Sequence, residues 1–131
     1  MRWTLVSGAL LGALAVASGA FGAHALQGVL SERARVWYDT AVTYHAGHAL
    51  ALLACGLLAL HVGASGASGR ALRVSAFAFL GGIALFCGSL YLMAFTGWTR
   101  LGMITPIGGV LLITGWIALA VAAARLRGTV S

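Results

Sequence analysis

Four long apolar stretches, separated by short polar breaks, dominate the pattern of the chain. They cover about residues 3–25, 41–62, 72–95 and 107–124. Each approaches or exceeds the roughly 20 residues that a helix needs to cross a bilayer. The alternating polarity that marks a membrane-spanning strand is not visible in any of them. The pattern therefore predicts an all-α fold: a single domain over residues 1–131, with transmembrane helices arranged up-down-up-down.

The breaks between the stretches indicate where helices begin and end. Ser31 is a candidate helix cap before the second span. Residues 63–70 read Gly-Ala-Ser-Gly-Ala-Ser-Gly-Arg, small residues with one arginine, which predicts a short flexible turn. The first stretch has features of a secretory signal, but its apolar run is longer than a signal core. We therefore expect it to be retained as a helix.

Composition supports a lipid environment. Apolar residues make up 61% of the chain and charged residues 8%, with a mean hydropathy of +1.00. A soluble domain carries about 25% charged residues. The net charge of +6 comes from arginines that are scattered among the breaks instead of clustered on one face. We therefore expect the bilayer, and not a nucleic acid, as the partner of this surface.

The arginines also predict an orientation. Five of them fall on the side of the two termini and three on the other side, which favours both termini in the cytoplasm of a bacterial inner membrane. The first set is Arg2, Arg70, Arg73, Arg125 and Arg127, and the second is Arg33, Arg35 and Arg100.

The first stretch carries a stripe of small residues at helical spacing. Such a stripe allows a second helix to approach closely. The partner is either another helix of the chain or another subunit, and we expect a homo-oligomer or a larger membrane complex. The stripe consists of Gly8, Gly12, Ala15, Gly19 and Gly22.

Polar side chains inside the stretches are concentrated in one half of the predicted bundle, away from the termini. Ionisable groups in a span indicate a functional site because burying them in lipid is costly. The main members are His24, Asp39, Thr43, Tyr44, His45, His48, Ser89, Tyr91 and Thr105. We expect His24, Tyr44, His48 and Tyr91 to converge in one pocket that opens toward the outer face.

The predicted second helix, which begins after Ser31 and runs into the second stretch, has one face that contains Tyr38, His45, His48, Leu52 and Cys55. Two histidines one turn apart are candidate ligands for a metal ion. Alternatively, a histidine pair on different helices would suit haem, and a histidine with a tyrosine among apolar walls would suit a quinone. The remaining alternative is purely structural: neutral histidines that hydrogen-bond across helix interfaces. The cofactor, if there is one, stays open.

Catalytic motifs are not apparent in the sequence. The chain has two acidic residues, Glu32 and Asp39, and lacks the glycine–serine elbow of hydrolases and the glycine-rich loop that holds phosphates. Cys55 and Cys87 lie in the middle of apolar stretches, which indicates packing instead of a disulfide. We therefore do not expect an enzyme.

Four segments together resemble a known family. They are Gly-Ala-Phe-Gly-Ala-His-Ala-Leu at 19–26, Tyr-His-Ala-Gly-His-Ala-Leu-Ala-Leu-Leu at 44–53, Gly-Ser-Leu-Tyr-Leu at 88–92 and Thr-Pro-Ile-Gly-Gly at 105–109. They resemble the small inner-membrane proteins typified by YgdD, a family of unknown function with a mitochondrial transmembrane relative in animals. The resemblance implies four spans and no activity. It places His24, Tyr44, His48, Ser89, Tyr91 and Pro106 at motif positions. The family also has glutamine at the position of His45, which weakens a metal site with two histidines.

Two kinds of function follow from these observations. The first is an accessory or structural component of the membrane without catalysis. The second is a protein that binds a metal ion, haem, a quinone or a small solute in an intramembrane pocket of histidine and tyrosine side chains.

Overall fold

A computed structural model describes residues 1–63 and 65–126, and these residues are entirely helices and their connections. Arg127, one of the arginines counted above, lies outside the described residues. Helix α1 covers Arg2–His24, α2 covers Glu32–Val62, α3 covers Gly66–Thr96 and α4 covers Thr105–Ala124. A 3-10 turn at Thr99–Met103 precedes α4. All four helices are long and apolar enough to cross a membrane, which confirms the predicted fold class.

The helix ends follow from local chemistry. The Ser31 side chain accepts a hydrogen bond from the backbone N–H of Ala34 at 3.2 Å, so the predicted cap of α2 is confirmed. Gly63 and Gly97 end α2 and α3 with φ of +80° and +69°, backbone angles that suit glycine. The predicted turn over 63–70 is wrong in extent, because α3 already begins at Gly66. The connections are thus the short stretches 25–31, 63–65 and 97–104.

Helices α2 and α3 form the centre of the bundle, and α1 and α4 lie outside them. In the most apolar 18-residue segment of each helix, 44% of the residues are buried in α2 and 50% in α3. The corresponding shares are only 17% in α1 and 22% in α4. Helix α1 packs mainly on α2, and α4 packs mainly on α3. The two central helices therefore carry the side chains that can meet partners from more than one neighbour.

The small-residue stripe of α1 packs inside the molecule, against α2. A Cβ atom added to Gly8 would lie 2.8 Å from the Leu53 side chain, and one added to Gly22 would lie 2.5 Å from the Tyr38 ring. Ala15 is buried between them. Gly12 differs, because an added Cβ there would meet nothing within 4 Å. The stripe thus packs on the chain's own α2 at Gly8, Gly19 and Gly22, and not at Gly12.

The pair α3 and α4 makes an equally close contact through glycines of α4. An added Cβ at Gly115 would lie 2.5 Å from the Phe79 ring. At Gly108 it would lie against the backbone of Phe86. Phe86 belongs to a π-helical turn, Ile83–Cys87, that interrupts α3 at this contact. The two helices therefore approach most closely where α3 departs from regular α geometry.

Candidate intramembrane polar site

His48 lies at the centre of a three-helix contact and is about nine-tenths buried. Its Nδ1 is 2.7 Å from the backbone carbonyl oxygen of Tyr44, and its Nε2 is 3.1 Å from the indole Nε1 of Trp116 in α4. An indole N–H can only donate and a carbonyl oxygen can only accept. His48 is therefore a neutral imidazole with its proton on Nδ1, and both ring nitrogens are engaged.

Aromatic rings enclose His48 on several sides. The Tyr44 ring stacks on the imidazole with 5.7 Å between centroids. Phe79 of α3 and Trp116 of α4 lie at 5.7 Å and 6.0 Å. Tyr44 itself is 43% exposed on the surface of the bundle. His48 thus joins α2 to α4, and Tyr44 shields its outer side.

His45 belongs to a second cluster, between α2 and α3. Its Nδ1 is 3.1 Å from the hydroxyl of Tyr91. The Tyr91 ring meets the Tyr38 ring edge to face at 5.4 Å, and the Tyr38 hydroxyl donates to the carbonyl oxygen of Ser18 in α1. The Nε2 of His45 is buried and has no hydrogen-bond partner among the described residues. This cluster therefore connects α1, α2 and α3 and leaves one polar atom unpaired.

Two serines make further polar contacts between helices. Ser75 of α3 donates to the backbone carbonyl oxygen of Gly115 in α4 at 2.8 Å and lies 3.2 Å from the sulfur of Cys55 in α2. Ser89 lies 2.7 Å from the hydroxyl of Thr105, at the start of α4. Each bond crosses a helix interface, where lipid offers no substitute partner.

The predicted convergence of four side chains in one pocket is wrong. Tyr91 bonds to His45 and not to His48. His24 is exposed at the end of α1 and makes no side-chain hydrogen bond within the described residues. The reason is geometric: His45 and His48 share the buried face of α2, as predicted, but that face meets α3 at His45 and α4 at His48.

Trp116 was not identified from the sequence as a partner of His48. The residue stands in the middle of the last apolar stretch, 68 positions from His48, and reads as one more apolar side chain. A signal was present, because an indole N–H in a span needs an acceptor. Ser75, whose hydroxyl bonds across to α4, was missed in the same way.

The arrangement of donors does not resemble a metal centre. No group of three His, Cys, Asp or Glu side chains within the described residues is close enough to hold a metal ion. His48 has no free lone pair, since Nε2 accepts from Trp116. Among the histidines of this region, His45 is the one with a ring nitrogen that lacks a well-formed hydrogen bond, although the backbone of Leu11 in α1 lies beside the ring.

Comparison with known proteins gives relatives over nearly the whole chain. The model of the family DUF423, described as protein of unknown function, matches residues 18–109. A UPF0382 membrane protein of Staphylococcus epidermidis is 41% identical over 98% of this chain and 100% of its own length. A UPF0382 membrane protein of Haemophilus influenzae is 44% identical over 86% of each chain. YwdK of Bacillus subtilis, also a UPF0382 membrane protein, is 40% identical over 95% of this chain and 98% of its own.

No solved structure matches the chain. The relatives are named as membrane proteins, which agrees with the four apolar helices and with the family resemblance seen in the motifs. The chain therefore belongs to the DUF423 family of proteins of unknown function, among the UPF0382 membrane proteins.

Proposed function

We propose that the protein is a structural or accessory component of the membrane, and that its intramembrane polar side chains hold the bundle together instead of performing chemistry. The observation that carries this proposal is the state of His48. An imidazole with a donor on one side and an acceptor on the other is satisfied by the bundle itself. Such bonds stabilise helix contacts in lipid, where packing and hydrogen bonds replace the hydrophobic drive.

The remaining polar contacts support the same function. Ser75 and Ser89 each bond across the interface between α3 and α4. Tyr38 bonds from α2 to α1. A binding site, in contrast, presents several convergent polar groups to an open pocket.

The proposal is tested by measuring which metal ions, haem or quinone remain bound to the purified protein. We expect detergent-purified protein to show no visible absorption band and less than stoichiometric metal. Organic extracts should contain no quinone at a fixed ratio to protein. A Soret band, or one metal ion per chain that is lost in His48→Leu, would contradict a purely structural role.

A specific observation favours a second candidate function: binding at His45. The unpaired Nε2 lies in a cluster that includes the phenol of Tyr91, and a buried polar atom without a partner is costly. A quinone or a small solute fits this site better than a metal ion or haem, because one nitrogen is the only ligand that the described residues offer there. Tyr44, His48 and Ser89 would not contact the bound molecule. His45→Gln should then lose the bound species, whereas Ser89→Ala should retain it.

The location proposed here is the bacterial inner membrane, with both termini in the cytoplasm. The arginine distribution supports this orientation through the positive-inside rule. The connection 25–31 and the turn at Thr99–Met103 then face outward.

We further propose that the chain forms a homo-oligomer through the outer face of α1. Gly12 supports it, because this glycine has open space beside it while its neighbours in the stripe pack on α2. Gly12→Leu should reduce the size of the detergent complex without changing thermal stability. Gly8→Leu, the matched variant, should destabilise the fold because of Leu53. An unchanged size in Gly12→Leu would contradict this interface.

A further inference from the structure

An open groove of about 540 Å³ runs between α3 and α4, near the end of the bundle where α3 begins. Arg70 and Arg73 line its mouth, and the rest of the wall is almost entirely apolar. The other lining residues are Val74, Phe77, Ala78, Leu111 and Thr114. The mouth of the groove lies at the opposite end of the bundle from Tyr91, because α3 runs from Arg70 toward Tyr91.

The charged side chains that line the groove are both positive. Arg70 and Arg73 are both exposed, and they are one helical turn apart on the same face of α3. The only acidic residues of the chain, Glu32 and Asp39, belong to the start of α2 at the other end of the bundle. The one ion pair within the described residues joins Asp39 to Arg35. Among the described residues, the two guanidinium groups therefore have no acidic side chain near them.

The body of the groove suits a hydrocarbon chain. Phe77 lies seven residues beyond Arg70, roughly 10 Å along the helix axis. Leu111 reaches Gly81 of α3, about 16 Å from the level of Arg70. The hydroxyl of Thr114 donates to the carbonyl oxygen of Val110 in its own helix, so it is already satisfied. An occupant thus meets two cations at one end and an apolar trough along the rest.

We propose that this groove is a binding site for an anionic phospholipid, with the phosphate between Arg70 and Arg73 and one acyl chain along Val74, Phe77 and Leu111. Guanidinium groups bind phosphate oxygens through paired N–H donors. A basic pocket between transmembrane helices at the membrane surface is a recognised arrangement for anionic headgroups. A zwitterionic lipid places an ammonium near the same arginines and is bound less well. A free inorganic anion leaves the apolar trough empty.

Retention of lipid by the delipidated protein tests the charge part of the proposal. The protein in neutral detergent is mixed with phosphatidylglycerol or phosphatidylcholine of identical acyl chains, and bound lipid is counted by native mass spectrometry. We expect a preference of roughly tenfold for phosphatidylglycerol. Arg70→Gln/Arg73→Gln should abolish it. The matched control Arg33→Gln/Arg100→Gln removes the same charge at the other end and should keep it.

The apolar part is tested by filling the trough. Thr114 is exposed to lipid, so Thr114→Phe should fold normally and still reduce retention of phosphatidylglycerol with both arginines intact. Millimolar inorganic phosphate should not displace the lipid. Equal retention of the two lipids, an equal loss of preference in the control variant, or displacement by phosphate would each overturn the proposal.

Discussion

His48 shows how a single polar residue is accommodated in a span. A histidine side chain in hydrocarbon is tolerated when both ring nitrogens have partners. The carbonyl oxygen of Tyr44 supplies one partner from the same helix, and Trp116 supplies the other from α4. The bond to Trp116 is also the acceptor that the indole N–H requires. Each residue therefore removes the cost of burying the other.

A double-mutant cycle measures the strength of the hydrogen bond between His48 and Trp116. His48→Leu and Trp116→Phe should each destabilise the protein, and the double variant should lose less than the sum of the two. We expect a coupling energy of about 0.5–1.5 kcal/mol, the range of such bonds in membranes. Unfolding by a denaturing detergent gives the free energies. The control cycle combines His48→Leu with Trp98→Phe. Trp98 is exposed in the connection after α3, so the two effects should be additive.

The buried face of α2 could be predicted from spacing, but its partners could not. Tyr38, His45 and His48 recur with helical period, and all three are buried. Which helix each one meets depends on how four helices pack, and the first prediction of one shared pocket failed on this point. Trp116 and Tyr91 lie 68 and 46 positions away along the chain. Periodicity within one helix carries no information about such contacts.

At the scale of the helix, the contact between α3 and α4 depends on which of two adjacent glycines faces inward. A Cβ atom at Gly108 would lie against the backbone of Phe86, within the π-helical turn. A Cβ at Gly109 would lie 3.7 Å from the Phe86 ring, an ordinary contact. Two neighbouring positions in the same helix thus have opposite tolerances.

Substitution of these glycines gives a matched pair. Gly108→Ala should lower the free energy of unfolding by about 1–3 kcal/mol, because a backbone must move to admit the methyl group. Gly109→Ala should be neutral or slightly stabilising, since alanine favours helix over glycine. Thermal unfolding followed by circular dichroism in detergent compares the two. Equal effects would show that the close approach at Phe86 is not what limits this position.

The lengths of the apolar stretches predicted the four helices well and the helix ends less well. The predicted spans fall within the observed helices except at Ala25, but α2 begins nine residues before its span and α3 six residues before its own. Polar side chains such as Glu32 and Arg70 form the outer turns of these helices, so hydropathy alone cuts them short. The π-helical turn left no compositional signal, because it arises from the fit between α3 and α4.

The molecule as a whole is asymmetric in charge, and this predicts how it inserts. Both acidic side chains lie in the first part of α2. Arginines lie at both ends of the bundle, and more of them lie at the end that carries the two termini. The positive-inside rule therefore predicts cytoplasmic termini. Alkaline phosphatase fused to the carboxyl end should be inactive, and the same enzyme fused after Gly28 should be active. The reverse pattern of activities would overturn the orientation.

The brevity of the connections has a consequence for how this protein meets other molecules. Where the structure describes them, the helices are joined by stretches of only a few residues, at 25–31, 63–65 and 97–104. Little of the described chain thus projects into water, which leaves a small surface for a soluble protein to bind. We therefore expect this protein to meet its partners by lateral diffusion in the plane of the bilayer. Side chains such as Val16, Leu50 and Ile113, which face the acyl chains, then decide which neighbours fit.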